Sequence, residues 1–276
     1  MPRIALYQSR TGIDPDASAR DLAAIVDRAA SEGAAMLFTP EMSGVLDGNR
    51  ERAARSVVRE ADDRVLGSVR EASARHGIWV HLGSLALRSE DDENRLVNRG
   101  FVIDDQGEIR GRYDKIHLFD VDLPTGESWR ESASYRGGKE AVVVRGTPVG
   151  DLGLAICYDL RFPALFERLS EAGAQVISLP AAFTVPTGQA HWHILLRARA
   201  IEAGLFVVAA AQSGEHEDGR RTFGHSLVVD PWGEVLADGG EGNGLVFADV
   251  DLSRIEEVRS RIPVLSHRKP ISPVEN

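Results

Sequence analysis

The chain of 276 residues carries 42 acidic and 32 basic side chains, and a formal charge of −10 argues against nucleic acid or an anionic membrane as its main partner. It does not exclude an anionic small substrate, because a pocket can be locally basic. The single cysteine rules out an intrachain disulfide, and no apolar run approaches the roughly 20 residues of a membrane-spanning helix.

In chain order, strands and helices alternate. Residues 4–8 read as a buried strand, and Leu22, Ile25, Val26 and Ala29 then follow the i, i+3, i+4, i+7 spacing of a helix. Residues 35–38 are short and apolar and run into Thr39-Pro40-Glu41. A helix is expected over 59–75, with Val65, Leu66, Val69 and Ala72 on one face, followed by strands at 78–87 and 100–103. Asp104-Asp105-Gln106-Gly107 is a turn cluster, which makes 108–113 the return strand of a hairpin. Further strands are expected at 141–144, 152–156, 176–179, 206–211, 226–229, 234–237 and 245–250, and helices at 163–172, 191–203 and 253–261. The segments 102–109 and 228–235 share a pattern of two apolar residues, Asp, two variable residues and Gly-Glu. Either two ordinary hairpins or an internal duplication accounts for it. Helices alternating with many strands imply layered α/β packing, and no Pro/Ser-rich linker divides the chain. One domain over 1–276 is expected, with 262–276 a polar tail. The N-terminus lacks the apolar core of a signal peptide, so a cytoplasmic location is expected.

Cys157 ends the apolar run 152–156 and precedes Tyr158-Asp159-Leu160-Arg161-Phe162-Pro163, where a helix should begin. A nucleophile on a sharp strand-to-helix turn is exposed at the sheet edge, where backbone N–H groups face an oxyanion and the helix N-terminus favours thiolate. The competing reading is a small buried hydrophobe. Glu41 follows a short apolar strand, a setting that raises a carboxyl pKa towards that of a general base; Pro-Glu is equally an ordinary helix start. Lys115 lies beyond the hairpin in Asp114-Lys115-Ile116-His117, where a buried ammonium would neutralise an oxyanion and an exposed one would be a solvated strand end. His117 is the partner that a Cys–His hydrolase would need. His191 and His193, two apart on a helix, point to different faces and make poor joint metal ligands. With no Cys-x-x-Cys or His-Glu-x-x-His present, no metal site and no cofactor are expected. The glycine-rich run 238–244 lacks a following Lys-Ser/Thr and reads as a flexible turn.

Together, Thr39-Pro40-Glu41, Tyr113-Asp114-Lys115-Ile116-His117-Leu118 and Ile156-Cys157-Tyr158-Asp159-Leu160-Arg161-Phe162-Pro163 resemble the nitrilase superfamily of carbon–nitrogen hydrolases, over essentially the whole chain. Thr187-Gly188-Gln189-Ala190-His191-Trp192, Gly224-His225-Ser226 and Val229-Asp230-Pro231-Trp232-Gly233 are similar to its Nit branch, and to the deaminated glutathione amidases within it. His193 departs from the pattern, which has Glu after Ala-His-Trp.

The resemblance implies an α/β fold, a four-layer α-β-β-α sandwich, with catalytic Glu41, Lys115 and Cys157 at strand ends and subunits paired into homodimers or larger homo-oligomers. It implies a thiol amidohydrolase that releases ammonia from a small carboxylate-bearing amide through a Cys157 thioester, with no metal or cofactor. Omega-amidase, N-carbamoyl hydrolase, nitrilase and a catalytically inactive binding module are the alternatives. A fourth catalytic residue is expected after Lys115. Glu131 is the choice over Glu127, which directly follows a Pro-Thr-Gly turn where a solvated carboxylate belongs. Tyr158 is expected to offer its backbone N–H to the oxyanion, Phe183 and Thr184 to line the substrate pocket, and Asp159 and Arg161 to lock the turn.

Overall fold

A computed structural model describes residues 1–92, 94–123 and 126–272. Two six-stranded sheets form its centre. The first runs Gly244–Asp249, Arg3–Gln8, Met36–Phe38, Trp79–Arg88, Leu96–Ile103, Ile109–Asp114. The second runs Val235–Asp238, Leu227–Val229, Phe206–Ala209, Val176–Ser178, Gly150–Leu154, Val142–Thr147. Alternation along the strands sets the layers. Ile4, Leu6, Met36 and Phe38 share a core with Leu152, Leu154 and Val176 of the other sheet. Ala5, Leu37, Val80 and Phe101 point the opposite way, onto Leu22, Val26, Val65 and Val69 of the helices Pro15–Ser31 and Arg64–His76. Pro163–Glu171 and Val185–Ala203 cover the outer face of the second sheet through Leu165, Phe166, Leu169, Trp192 and Leu196. The result is the expected α-β-β-α sandwich.

The two sheets repeat one topology. From Arg3–Gln8, two parallel steps lead through Met36–Phe38 to Trp79–Arg88, and two antiparallel steps follow. From Gly150–Leu154 the same sequence of steps leads to Val235–Asp238. The two hairpin turns noticed in the sequence occupy equivalent places and close identically. Asp104 Oδ1 accepts from the N–H groups of Gln106 and Glu108 at 3.0 and 2.9 Å, and Asp230 Oδ1 from those of Trp232 and Glu234 at 2.9 and 2.8 Å. Shared topology on top of shared turn chemistry favours duplication over coincidence.

Several boundaries differ from expectation. The helix expected over 59–75 begins at Arg64, because Asp63 caps it by accepting from Leu66 N at 2.8 Å; a 3-10 turn and a separate helix, Arg50–Ser56, precede it. The helix expected at 191–203 starts at Val185, with Pro186 in its first turn, where a missing N–H costs nothing. Two small ribbons, Asp120–Asp122 with Ser128–Arg130 and Ser213–Glu215 with Arg221–Phe223, were not foreseen. The run 238–244 is no free turn: Gln8 Nε2 donates to the carbonyls of Gly239, Gly240 and Gly242. Within the expected tail, Val264–His267 is a short helix, and Arg268 Nη1 reaches Ser170 Oγ at 3.2 Å. Pro124 and Thr125, on which the expectation for Glu127 partly rested, lie outside the described residues.

Candidate active site

Cys157 takes a left-handed backbone, with φ of 49°, at the first position of the 3-10 turn Cys157–Arg161. A side chain in that region costs about 1–2 kcal/mol and persists only where its surroundings over-determine it. Here Cys157 N donates to Pro180 O at 2.9 Å, and Ile156 N to Asp159 Oδ2 at 2.9 Å. The fully buried Asp159 also accepts from Tyr113 OH at 2.7 Å and from His117 N at 3.0 Å, with His117 Nδ1 at 2.7 Å. Asp159 thereby fastens the nucleophile turn to the Lys115 segment. His117 is held by that carboxylate and stacks on Phe162 at 3.6 Å, an arrangement that gives it no place as the base of a Cys–His pair.

Glu41 and Lys115 come from the first sheet, and both are buried. Lys115 Nζ donates to Glu41 Oε1 at 2.9 Å and to Glu131 Oε2 at 2.9 Å and Oε1 at 3.2 Å. Asn98 Nδ2 joins the same two carboxylates, at 2.9 Å to Glu41 Oε1 and 3.3 Å to Glu131 Oε1. Glu41 Oε2 accepts from Ala182 N at 3.0 Å, and the carboxylate also takes the Cys157 thiol hydrogen bond. Glu131 starts a 3-10 turn after Ser128–Arg130 and accepts from Phe119 N at 2.7 Å. Glu127 is exposed. The structure therefore brings Glu41, Lys115, Glu131 and Cys157 together.

Their titration corrects two expectations. Burial pushes the Glu41 carboxyl up, but the Lys115 charge and hydrogen bonds from Cys157, Lys115 and Asn98 outweigh it, leaving Glu41 below the ordinary glutamate value. The carboxyl expected to be raised is lowered, because apolar flanks in the sequence concealed an ammonium in space. Burial and the Glu41 charge push the Cys157 thiol well up, against the thiolate anticipated from a helix N-terminus. Burial opposes the Lys115 charge, yet Glu131, Glu41 and Cys157 raise its pKa well above the ordinary value. The resting site is a neutral thiol donating to a carboxylate beside a fixed ammonium.

A cavity of about 580 Å³ opens over these groups, and Tyr158, Phe183 and Thr184 are among the residues that line it. Its wall also holds Trp129, Arg161 and Arg220, which the sequence reading did not place there as ligand contacts. Arg220 lies over the Trp129 ring at 4.6 Å, and both the Arg220 Nε and Trp129 Nε1 are buried without a hydrogen-bond partner. The pocket is thus locally basic in an acidic protein. No signal in the sequence marked Asn98 or Arg220, since each depends on chain packing far from its neighbours. Among the described residues no helix is long and apolar enough to cross a membrane.

The carbon–nitrogen hydrolase family model matches residues 3–260. The chain is 40% identical over 243 residues to a deaminated glutathione amidase of Yersinia enterocolitica, covering 88% of this chain and 84% of that one. Its fold is similar to that of the crystal structure of the Caenorhabditis elegans NitFhit protein, with a TM-score of 0.89 and 39% identity; the match covers 97% of this chain and spans 65% of that longer one. It is also similar to a Nesterenkonia sp. amidase seen with acrylamide added to its active-site cysteine, with a TM-score of 0.77 and 26% identity over 95% of this chain and 98% of that one. The sandwich, the strand-end motifs and these likenesses converge: the chain belongs to the carbon–nitrogen hydrolase family, within the nitrilase superfamily, and is a hydrolase of the amidase type.

Proposed function

We propose that Glu41, Lys115, Cys157 and Glu131 are the catalytic residues of a thiol amidohydrolase acting on a small carboxylate-bearing amide. The observation that carries the reading is the Glu41–Lys115–Glu131 network closed on the Cys157 thiol at the floor of a basic-walled cavity. Glu41 takes the thiol proton as sulfur attacks the amide carbonyl carbon. The Lys115 ammonium and the Tyr158 backbone N–H receive the oxyanion. The C–N bond breaks as Glu41 returns that proton to the leaving nitrogen, so ammonia departs and a Cys157 thioester remains. Glu41 then deprotonates water, hydroxide adds to the thioester, and the C–S bond breaks as sulfur regains its proton. Glu131 keeps Lys115 charged and aimed. Because the thiol is neutral at rest, proton transfer accompanies attack, and no free thiolate is stored.

Arg161 and Arg220 suit the substrate's carboxylate, and Phe183, over whose ring the Arg161 guanidinium lies at 5.6 Å, shapes the pocket with Thr184. Amides of 2-oxo acids are the favoured substrates, with deaminated glutathione, named for the Yersinia relative, first among them. No metal or organic cofactor enters the reaction, so dialysis against a chelator leaves turnover unchanged. Residues 1–276 act as one domain with 262–276 as its tail, in the cytoplasm. Chains pair as homodimers or larger homo-oligomers. Ile194, 69% exposed, and Ile201 on Val185–Ala203, with the exposed Trp232, offer apolar surface for that pairing.

An ammonia-release screen across monoamides of dicarboxylates, their 2-oxo forms, carbamoyl compounds and nitriles tests the substrate class. Fastest turnover is expected on a carboxylate-bearing amide; faster turnover of nitriles or carbamoyl compounds reassigns it. Cys157→Ala should abolish activity with the fold kept, and one alkyl adduct on Cys157 should block turnover. Surviving activity in Cys157→Ala would end the thiol mechanism.

A further inference from the structure

His193 departs from the Nit-branch pattern, and the reaction does not use it. It lies on the helix Val185–Ala203, and its Nε2 is 2.9 Å from Asp238 Oδ2. The other oxygen of that carboxylate, Oδ1, is 2.8 Å from His225 Nδ1. One ligand atom from each of the three residues lies within 4.8 Å of the other two, the one such group among the described residues. Local spacing argued only against His191 and His193 as a pair. His191 indeed turns elsewhere, its Nδ1 lying 3.3 Å from the Arg161 guanidinium. A trio assembled from a helix, a loop and a strand end leaves no motif to read.

We propose that His193, His225 and Asp238 form a site for a divalent transition cation of the zinc class. Two imidazole nitrogens and one carboxylate oxygen are a donor set that zinc accepts, at about 2.0–2.2 Å from each. Around such an ion, ligand atoms sit roughly 3.3 Å apart; one donor atom from each residue now lies within 4.8 Å of the others, so side-chain shifts of about 1–2 Å bring one carboxylate oxygen and both ring nitrogens onto it. The ion takes the place of the protons now shared between ring nitrogens and carboxylate. Side-chain exposures of 36%, 22% and 33% for His193, His225 and Asp238 give it a way in and leave room for water as the fourth ligand.

The scaffold is braced independently of any ion. His225 has a left-handed φ of 56°, held by its N–H on Gly240 O at 2.7 Å and by Trp192 Nε1 donating to its carbonyl at 2.8 Å. Its ring stacks on Phe223 at 4.4 Å, and Asp238 Oδ1 accepts from Gly240 N at 2.9 Å. Two of the three ligands are therefore fixed before an ion arrives, which lowers the entropy lost on binding. None of the three lines the active cavity, although Phe223 N donates to Phe183 O at 3.0 Å just behind its wall. The ion would clamp helix to strand and take no part in the amide chemistry.

Cys157→Ala protein, which lacks the only competing thiol, is dialysed against a chelator and titrated with Co²⁺, followed by visible absorption, and with Zn²⁺ by calorimetry. One equivalent should bind per chain with Kd on the order of micromolar or tighter, and Zn²⁺ should raise Tm by several degrees. Adding His193→Gln, a half-exposed change that leaves the helix intact, should weaken binding at least about 30-fold, and Asp238→Asn likewise. Each variant's Tm is compared with and without Zn²⁺, so any loss of intrinsic stability cancels. Absence of stoichiometric uptake, or uptake and Tm shifts unchanged in both variants, would overturn the site and leave the trio a carboxylate-bridged histidine pair.

Discussion

Asn98 and Glu131 show how much of the chemistry is placed by groups that form no bond to the substrate and move no proton in the proposed reaction. Asn98 donates to Glu41 and to Glu131, and Glu131 alone holds the Lys115 ammonium with both carboxylate oxygens. Removing that charge leaves the Lys115 ammonium buried with one counter-charge fewer, so Glu131→Gln should lower kcat at least about 100-fold. Glu127→Gln, at an exposed position, should change it less than twofold. A side-by-side rate measurement with the reverse pattern would show the wrong glutamate was chosen. The lowered Glu41 pKa has its own signature. A base must be ionised, and a carboxyl held below the ordinary glutamate value stays ionised well into acid. The acid limb of kcat/KM in initial-rate profiles should therefore lie below that ordinary value; a limb near neutrality contradicts the assignment. Glu41, Lys115 and Cys157 were legible because each follows an expected strand within a recognisable motif, whereas Glu131 was reached only as the expected fourth residue of the resemblance, chosen over Glu127. Asn98 sits unmarked in mid-strand, and the sign of the Glu41 shift needed the position of Lys115 in space.

At the scale of elements, close approach explains where the sequence reading slipped. Trp79–Arg88 passes so near the Glu41 segment that a Cβ on Gly83 would stand 2.1 Å from Thr39 O, 2.4 Å from Pro40 O and 2.6 Å from Pro180 Cβ. Backbone atoms cannot swing aside, so Gly83→Ala must push apart the strand ends that carry Glu41 and that receive Cys157 N. Overpacking of this kind costs about 3 kcal/mol, or roughly 5–10 °C in Tm. Thermal melts and kcat should fall together, and an unperturbed melt would refute the crowding argument. Gly188 acts similarly: a Cβ there would lie 2.2 Å from Phe223 Cγ, so the helix Val185–Ala203 tolerates a poor helix former to let the ring pack. A glycine after a proline reads as a loop in one dimension, which is why the helix was expected only from residue 191. The longer strands and the longer helices were legible in period and order because burial on one or both faces dictates them, whereas Arg50–Ser56 and Val264–His267 bury no residue and left no pattern to read. The small ribbons were not legible either, since three-residue strands carry too little pattern.

At the scale of the whole molecule, the two sheets meet over a histidine. His81 is buried between them, its Nε2 3.3 Å from Ser178 Oγ, and burial pulls its pKa down to about 3. The unfolded chain, with a pKa near 6.5, takes up a proton that the folded chain refuses. Unfolded protein thus binds more protons between these values, and stability falls as pH drops from 6.5 towards 3. Between pH 7 and 4.5 this one group should remove about 2–3 kcal/mol. Urea midpoints of the parent and His81→Gln at both pH values isolate it from the carboxylates: the parent should lose more, and equal losses would dismiss the histidine.

The sheet order has one more consequence, for the making of the protein. Arg3–Gln8 is hydrogen-bonded to Gly244–Asp249 from Arg3↔Asp249 to Gln8↔Gly244, a pairing that spans almost the whole chain. At about 5–20 residues per second on the ribosome, the earlier strand waits roughly 10–50 s for its neighbour. Throughout that interval one edge of the first sheet is open, with Met36–Phe38 alone at its other side. Vectorial synthesis therefore exposes an aggregation-prone strand edge until residues 244–249 have been made, and slow elongation or a stall before residue 244 should cost soluble yield far more than its effect on the finished fold would suggest.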